Sequence, residues 1–265
     1  MNIVCYAHAK HQLEAVSYFT RGLMRHGQKA IVKHPIEITD ADLAVFWGHR
    51  QNAIINRQKL RKRHYLVMER GYIGDRFVWT SLGFDGLNGR AKFPKIEDGG
   101  ERWNKHFARY FRDWKKRDNH TAVIMGQVRG DAALKQVNFG DWMREMITTL
   151  HNRGWEVAFR HHPGDMNFAV LDGAAILTGT LTQAIERAGL VVTYSSNSGV
   201  DALMVGCPIF AADPGSMVYD ISPRQPVQTY PDRTPWTQKM AFTQWLPDEM
   251  INGEAWAALR TVIDG

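Results

Sequence analysis

Short apolar runs alternate with amphipathic stretches along this chain. The alternation runs twice, with a break between. In the first pass, strand-like runs cover residues 2–6, 30–32, Leu43–Trp47 and 65–68. Between them lie a helical pattern at residues 11–26, with apolar Leu13, Val16, Phe19, Leu23 and Met24 and a stop at Gly27, and a basic helix at residues 52–63. The second pass places strands at Thr121–Met125, 155–159, Leu190–Thr193 and 208–211, with helices at 141–153, 181–188 and 200–205. Strands separated by helices pair in parallel, so the rhythm predicts an α/β protein of two doubly wound, Rossmann-like domains facing a central cleft. The expected boundaries are 1–118, 119–240, and a tail at 241–265 whose helix returns to the first domain. Residues 71–100, rich in glycine and aromatics, break the rhythm, as a long ordered loop or a short antiparallel excursion. Residues 102–117 read as a basic helix whose stripe of Trp103, Phe107, Tyr110, Phe111 and Trp114 packs on the core.

The 265 residues suit two domains, and 44% apolar content excludes global disorder. No apolar run reaches the ~18 residues of a membrane span. The first residues read as a strand rather than a secretory signal. Cys5 and Cys207 lie in or beside apolar runs and read as core residues, too few for a zinc site or a disulfide framework. A reducing cytoplasm is the expected location. The net charge of +6 is uneven. Residues 1–118 hold 23 Lys+Arg against 12 Asp+Glu (+11), and residues 119–265 hold 10 against 15 (−5). A basic half of this kind suits a polyanionic partner: nucleic acid, acidic polysaccharide or a membrane surface.

Ligands of open α/β sheets bind beyond the carboxyl ends of the strands. The residues there are His8, His49-Arg50 and Glu69-Arg70-Gly71 in the first half. In the second they are Gln127-Val128-Arg129-Gly130-Asp131, Arg160-His161-His162-Pro163, Ser195-Ser196-Asn197-Ser198-Gly199 and Asp213-Pro214. The serine run opens a helix, where hydroxyls and backbone N–H groups suit a phosphate, and Asp201 follows to accept from ribose hydroxyls. Arg160 and His162 add a cation and an imidazole, and Gln127 and Arg129 lie on a glycine-containing turn. Asp40-Ala41-Asp42 has the look of a metal-binding DxD but precedes a strand, so it reads as a solvated turn. The eleven histidines show no metal-binding spacing, and no metal site is expected.

The string TYSSNSGVDALMVGCPIF, with His162-Pro163, Ser195-Ser196 and Glu69-Arg70-Gly71, resembles the motifs of GT-B fold glycosyltransferases. More closely, it is similar to the capsule-polysaccharide type, including bacterial Kdo and polysialic acid transferases. Two departures stand out. The acidic-x-Gly motif of those enzymes usually carries two acids, whereas the second here is Arg70, and Asp201 stands where they usually carry Glu. The final helices resemble the GT-B tail that crosses back to the first domain.

The resemblance implies sugar transfer from a nucleotide-sugar donor, a UDP-sugar by preference with CMP- and GDP-sugars as alternatives, and no required cofactor. The donor set would be Gln127, Arg129, Arg160, His162, Ser195, Ser196, Ser198, Gly199 and Asp201. Glu69 would be the general base of an inverting displacement, with Asp85 and His8 in reserve. Charge and compactness also resemble phage DNA glucosyltransferases. They favour an acceptor of double-stranded DNA carrying 5-hydroxymethylpyrimidines, extruded for reaction, in a host cytoplasm if the chain is phage-encoded. Arg50, Arg61, Lys62, Arg63, Arg70, Tyr72, Arg76 and Trp79 would contact it, with Phe77 and Phe84 available for stacking. A capsule or other acidic surface polysaccharide is the alternative acceptor. A nucleotide-sugar epimerase and a non-catalytic nucleic-acid-binding protein are the remaining readings.

Overall fold

The computed structural model describes residues 1–128, 130–134, 137–165 and 171–264. The chain divides into two compact units, one formed by Met1–Arg109 with Thr234–Gly265, the other by Tyr110–Arg233. The first unit begins β1 (Ile3–Tyr6), α1 (Lys10–Arg25), β2 (Ala30–Lys33), β3 (Leu43–Trp47), α2 (Asn52–Leu60), β4 (His64–Arg70), β5 (Thr80–Phe84) and α3 (Glu101–His106). The second unit holds β6 (Thr121–Met125), α4 (Phe139–His151), β7 (Glu156–Arg160), β8 (Ala175–Ile176), α5 (Leu181–Arg187), β9 (Leu190–Thr193), α6 (Ser198–Met204) and β10 (Ile209–Ala211). The first unit then resumes with α7 (Thr234–Ala241), β11 (Gln244–Trp245), α8 (Pro247–Ile251), α9 (Glu254–Leu259) and α10 (Thr261–Asp264).

The sheet of the first unit has the order β11-β5-β4-β3-β1-β2. Its β2, β1, β3 and β4 are parallel, β5 runs antiparallel beside β4, and β11 runs antiparallel beside β5. Residues 71–100 therefore contain the antiparallel excursion rather than a long loop. All five residues of β5 are buried, paired from Arg70↔Thr80 to Leu66↔Phe84. Gly83 is required there, because a Cβ would stand 2.6 Å from that of Ala91 on the return segment. The sheet of the second unit is wholly parallel, in the order β10-β9-β6-β7-β8. Numbered within the unit, that is the 3-2-1-4-5 order of a doubly wound nucleotide fold. Helix α4 buries Met143, Met146, Ile147 and Leu150 at helical spacing against Phe159, Val192 and Phe210.

Two expected helices are interrupted. The stretch 102–117 is helical only to His106, because its aromatic stripe serves both units. Trp103 packs on Trp236 and Phe107 on Trp79 in the first. Phe111 and Trp114 clasp the guanidinium of Arg233 at 3.9 and 4.3 Å in the second. Arg233 also donates to the carbonyls of Leu203 and Arg112, so the chain is pinned in an extended form there. The tail joins the first unit at Thr234 rather than 241. It breaks after α7 into β11, because Gln244 hydrogen-bonds the backbone beyond β4.

Helix α1 lies against α8 and α9. Phe19 meets Trp256 with ring centroids 5.9 Å apart, and Gly22 lies so close to α8 that a Cβ would reach 1.9 Å from the Met250 carbonyl oxygen. Arg102 ties α3 to the tail. Its Nη1 and Nη2 pair with the Glu249 carboxylate, its Nε donates to the Ala241 carbonyl (2.6 Å), and its guanidinium lies 4.2 Å from the Trp245 ring centre. Cys5 and Cys207 are buried free thiols, raised by burial to about 12 and about 11. Counted by unit, the first carries 21 Lys+Arg against 14 Asp+Glu (+7) and the second 12 against 13 (−1). The asymmetry keeps its sign and shrinks, because residues 110–118, with four cations and two acids, belong to the second unit, and the tail adds four acids against two cations to the first.

Candidate active site

In the second unit the strand order reverses between β6 and β9, which opens a crevice at their carboxyl ends. Gln127 leaves β6 and Ser195 leaves β9, and the two grip each other. The Ser195 N–H donates to Gln127 Oε1 (2.8 Å), and Gln127 Nε2 donates to Ser195 Oγ (3.2 Å). Both are buried, so they position the loop. The Ser196 N–H donates to Thr193 Oγ1 (2.8 Å), and Ser196 Oγ accepts from the Ser198 hydroxyl (2.9 Å). Ser198 is buried while Ser196 is half-buried, so Ser196 is the more accessible hydroxyl of the run. Gly199 has a packing role: a Cβ there would approach Val218 Cγ2 to 2.9 Å. Asp201 stands half-buried in the first turn of α6.

A cavity of about 420 Å³ lies beside the ends of β6 and β7. Gln127, Asn138, Phe139, Arg144, His162 and Asp165 are among its lining. Gly126 lets the exits of β6 and β7 approach each other there, since a Cβ would stand 2.9 Å from the His162 nitrogen. His162 Nδ1 accepts from the Gly164 N–H (3.0 Å), which leaves Nε2 as the protonated nitrogen of the neutral ring and a donor. Arg160 ends β7. Burial pulls its guanidinium below the ordinary value, and its Nε has no hydrogen-bond partner among the described residues. Phe139 stacks on Trp142, whose ring meets Tyr194 edge-on, both centroid pairs 5.3 Å apart. Arg129 lies outside the described residues.

In the first unit the order reverses between β1 and β3. His8 follows β1 and is exposed, with its ring 5.4 Å from that of His34. Gly48, His49 and Arg50 follow β3. Glu69, near the end of β4, leans toward that exit, so that a Cβ on Gly48 would lie 3.5 Å from Glu69 Oε1. Arg70 is held between two rings, its guanidinium 5.3 Å from Trp47 and 4.8 Å from Phe77. Phe77 is 78% exposed. Gly71 permits the turn: a Cβ would come within 2.5 Å of the Trp79 Cβ. Gln244 of β11 then fixes the following backbone, accepting from the N–H groups of Tyr72 (2.6 Å) and Ile73 (3.0 Å) and donating to the Ile73 carbonyl (2.9 Å).

Several expected site residues lie elsewhere. Asp85 is at the opposite edge of the sheet, because β5 runs antiparallel and ends where β4 begins. There it accepts from His64 Nδ1 (2.7 Å), Lys92 Nζ (3.1 Å) and the Tyr65 N–H (3.2 Å). Arg61, Lys62 and Arg63 follow the carboxyl end of α2 and share that far edge. Arg61 and Arg63 pair with Asp40, and Arg63 also with Asp42. The Asp40–Asp42 turn is thus a counter-charge for the basic run. Tyr72, Trp79 and Phe84 are buried, so they stack on no ligand. Trp79 packs on His106 and Phe107, and burial raises the Tyr72 phenol. Arg76 caps its own turn by donating to the Gly71 carbonyl (3.1 Å). At the carboxyl edge the structure keeps His8, Arg50, Glu69 and Arg70.

Sequence reasoning missed Trp47, which read as a core strand residue, and Gln244, hidden in an expected helix. It also missed the cavity rim of Asn138 and Arg144. Asn138 accepts from the Asp141 N–H (3.3 Å), an N-cap legible as Asn three residues before an acid. Among the described residues no group of three His, Cys, Asp or Glu could hold a metal ion, and no helix is long and apolar enough to cross a membrane.

Two Rossmann-like units, each with polar strand exits at its switch point, make this a GT-B type α/β fold. Two solved structures from Thermosulfurimonas dismutans share it. The KpsC β-Kdo 2,4 transferase superposes with a TM-score of 0.56 at 12% identity, covering 92% of this chain and 90% of that one. The KpsC β-Kdo 2,7 transferase also gives 0.56, at 14% identity, covering 97% and 99%. No protein-family model matches the chain. No curated protein matches it by sequence.

Proposed function

We propose that the chain is a glycosyltransferase that moves a sugar from a nucleotide-sugar to a hydroxyl of an acidic glycan. The observation that carries the proposal is the Gln127–Ser195 clasp across the β6/β9 switch point. It presents Ser196 and the first turn of α6 beside a cavity lined by His162. These groups suit the phosphates of a nucleotide donor. His162 Nε2–H, the Ser196 hydroxyl and Arg160 would meet the charge that develops on the departing phosphate. Asp201 would accept from the ribose. In the first unit Glu69 would take the proton of the acceptor hydroxyl as its oxygen attacks the anomeric carbon and the nucleotide leaves. Arg70, gripped by Trp47 and Phe77, would receive the acceptor's acidic group.

The acidic glycan is preferred to DNA for two reasons. Two solved structures that share the fold are named as Kdo transferases. Of the aromatic side chains that base extrusion would use, Tyr72, Trp79 and Phe84 are buried, and the exposed Phe77 is engaged by the Arg70 guanidinium. The +7 charge of the first unit still suits DNA bearing 5-hydroxymethylpyrimidines, which is the second reading.

The test is a transfer screen by mass spectrometry. Purified protein is given UDP-, CMP- and GDP-sugars with oligosialic acid, and separately with hydroxymethylated DNA. A sugar-sized mass gain on the glycan is the expected result. A gain on the DNA instead assigns the second acceptor. Failure to bind any donor overturns the transferase reading.

A further inference from the structure

The stretch from Leu43 to Met68 contains no Asp or Glu but six cations: Arg50, Arg57, Lys59, Arg61, Lys62 and Arg63. It forms β3, α2 and β4. Arg50, ahead of α2, lies at the carboxyl edge with Glu69. Lys59 and the run after it lie at the opposite edge. The two edges are joined by the exposed face of α2, which carries Asn52, Ala53, Asn56 and the apolar Leu60, while Ile54, Ile55 and Gln58 face inward.

The far end is built as a recess of about 240 Å³ lined by Lys59, Lys62, Arg63, His64, Tyr65 and Asp85. Two of its lining residues, Lys62 (φ 52°) and Asp85 (φ 59°), hold left-handed backbone that side chains disfavour. The charge of the edge is partly met. Asp40 and Asp42 pair with Arg57, Arg61 and Arg63, and Asp85 with His64 and Lys92. Six cations (Arg57, Lys59, Arg61, Lys62, Arg63 and Lys92) against these three acids leave an excess of three. Strand β4 measures the separation: His64 opens it at the recess and Glu69 lies five residues on, about 17 Å away.

We infer that the exposed face of α2 is a track for an acidic polymer, running from the Glu69–Arg70 edge to an anchoring recess at Lys59 and Lys62. Its ligand is the growing part of an acidic glycan whose end lies at Glu69, so the inference rests on the reading of the chain as a transferase to such a glycan. A helix face of two amides and two apolar side chains between two basic ends suits a sugar chain, with its hydroxyls, its apolar ring faces and its spaced carboxylates. A short acceptor reaches one end of the track only, and a longer one reaches both.

The test is binding by calorimetry and anisotropy with a ladder of oligosialic acids from dimer to dodecamer. A neutral maltooligosaccharide ladder and duplex DNA of matched charge serve as comparisons. Affinity for the acidic ladder should rise about tenfold once the chain passes the length that spans the track, as two further surface cations engage. The neutral ladder should show no step. The Lys59→Glu/Lys62→Glu double variant should remove the step, leave the dimer's affinity unchanged, and lower the slope of log affinity against log salt by about two. Lys59→Gln/Lys62→Asn repeats the test without charge reversal, with circular dichroism to show that the fold is kept. Length-independent binding, or a step that survives both double variants, overturns the inference. Tighter binding of the DNA, lost in the variants, reassigns the track to nucleic acid. A protein that binds no nucleotide-sugar but keeps the step loses the transferase reading and retains the track.

Discussion

At the residue scale the departure that matters most is Arg70. Arg70 and Glu69 are successive residues of β4, so their side chains leave opposite faces of the sheet. The Trp47 and Phe77 rings lie 5.3 and 4.8 Å from the Arg70 guanidinium, positions that favour a cation there. Glu69→Gln is expected to lower kcat by about 10²- to 10⁴-fold, the span of one lost general base, with donor Kd unchanged. Steady-state kinetics and donor calorimetry check this together. Full activity in the variant removes Glu69 from the chemistry. Arg70→Gln should raise KM for an acidic acceptor and leave donor KM unchanged, a split that general loss of structure would not produce.

At the element scale the tail explains how the Glu69 edge is held. Strand β11 places Gln244 where it satisfies three backbone groups of Tyr72 and Ile73. The Arg102–Glu249 pair fastens α3 to α8 behind it. Burial alone would raise Glu249. The Arg102 hydrogen bonds and charge outweigh it and hold the carboxyl below its ordinary value of 4.5. A depressed folded-state value stabilises the fold above the unfolded value, and that contribution is lost as pH falls through the folded one. Stability should therefore drop on acidification below about 4.5. Glu249→Gln should flatten that drop and cost about 3–5 kcal/mol at neutral pH, because Arg102 is left buried without its partner. Denaturant titrations across pH check both. The doubly wound character of both units was legible in the sequence, because fully buried parallel strands such as Leu43–Trp47 and Leu190–Thr193 appear as unbroken apolar runs. The positions of the serine run and His162 at strand exits were legible because they follow such runs directly. What escaped was set by pairing between distant segments. Thr80–Phe84 carries no alternation, since both faces are covered. Gln244-Trp245 is too short to show a period. Asp85 reads as a strand exit until the strand is known to run backwards.

At the scale of the whole molecule the division of the chain is unequal in kind. The second unit is one continuous segment with its own parallel sheet and core. The fragment 110–233 is expected to fold alone, with a single cooperative thermal transition by circular dichroism and nucleotide-dependent shifts in its NMR spectrum. The first unit is split. The fragment 1–109 lacks α7, β11, α8, α9 and α10, which leaves Trp103 without Trp236 and Phe19 without Trp256. It should show no cooperative transition until a peptide of residues 234–265 is supplied. An independently cooperative 1–109 would contradict the dependence on the tail drawn from Gly22, Arg102 and Gln244.

The clasp of Gln244 on Tyr72 and Ile73 also has a meaning in time. Chains emerge from the ribosome from the amino end, and domains fold as they emerge. The backbone next to Glu69 is made early, yet its last partner is made late. The edge that would carry the base stays unfinished while the whole second unit is synthesised. Ribosome-bound chains arrested before residue 244 should therefore leave the amides of Tyr72 and Ile73 open to exchange, and release of the finished chain should close them.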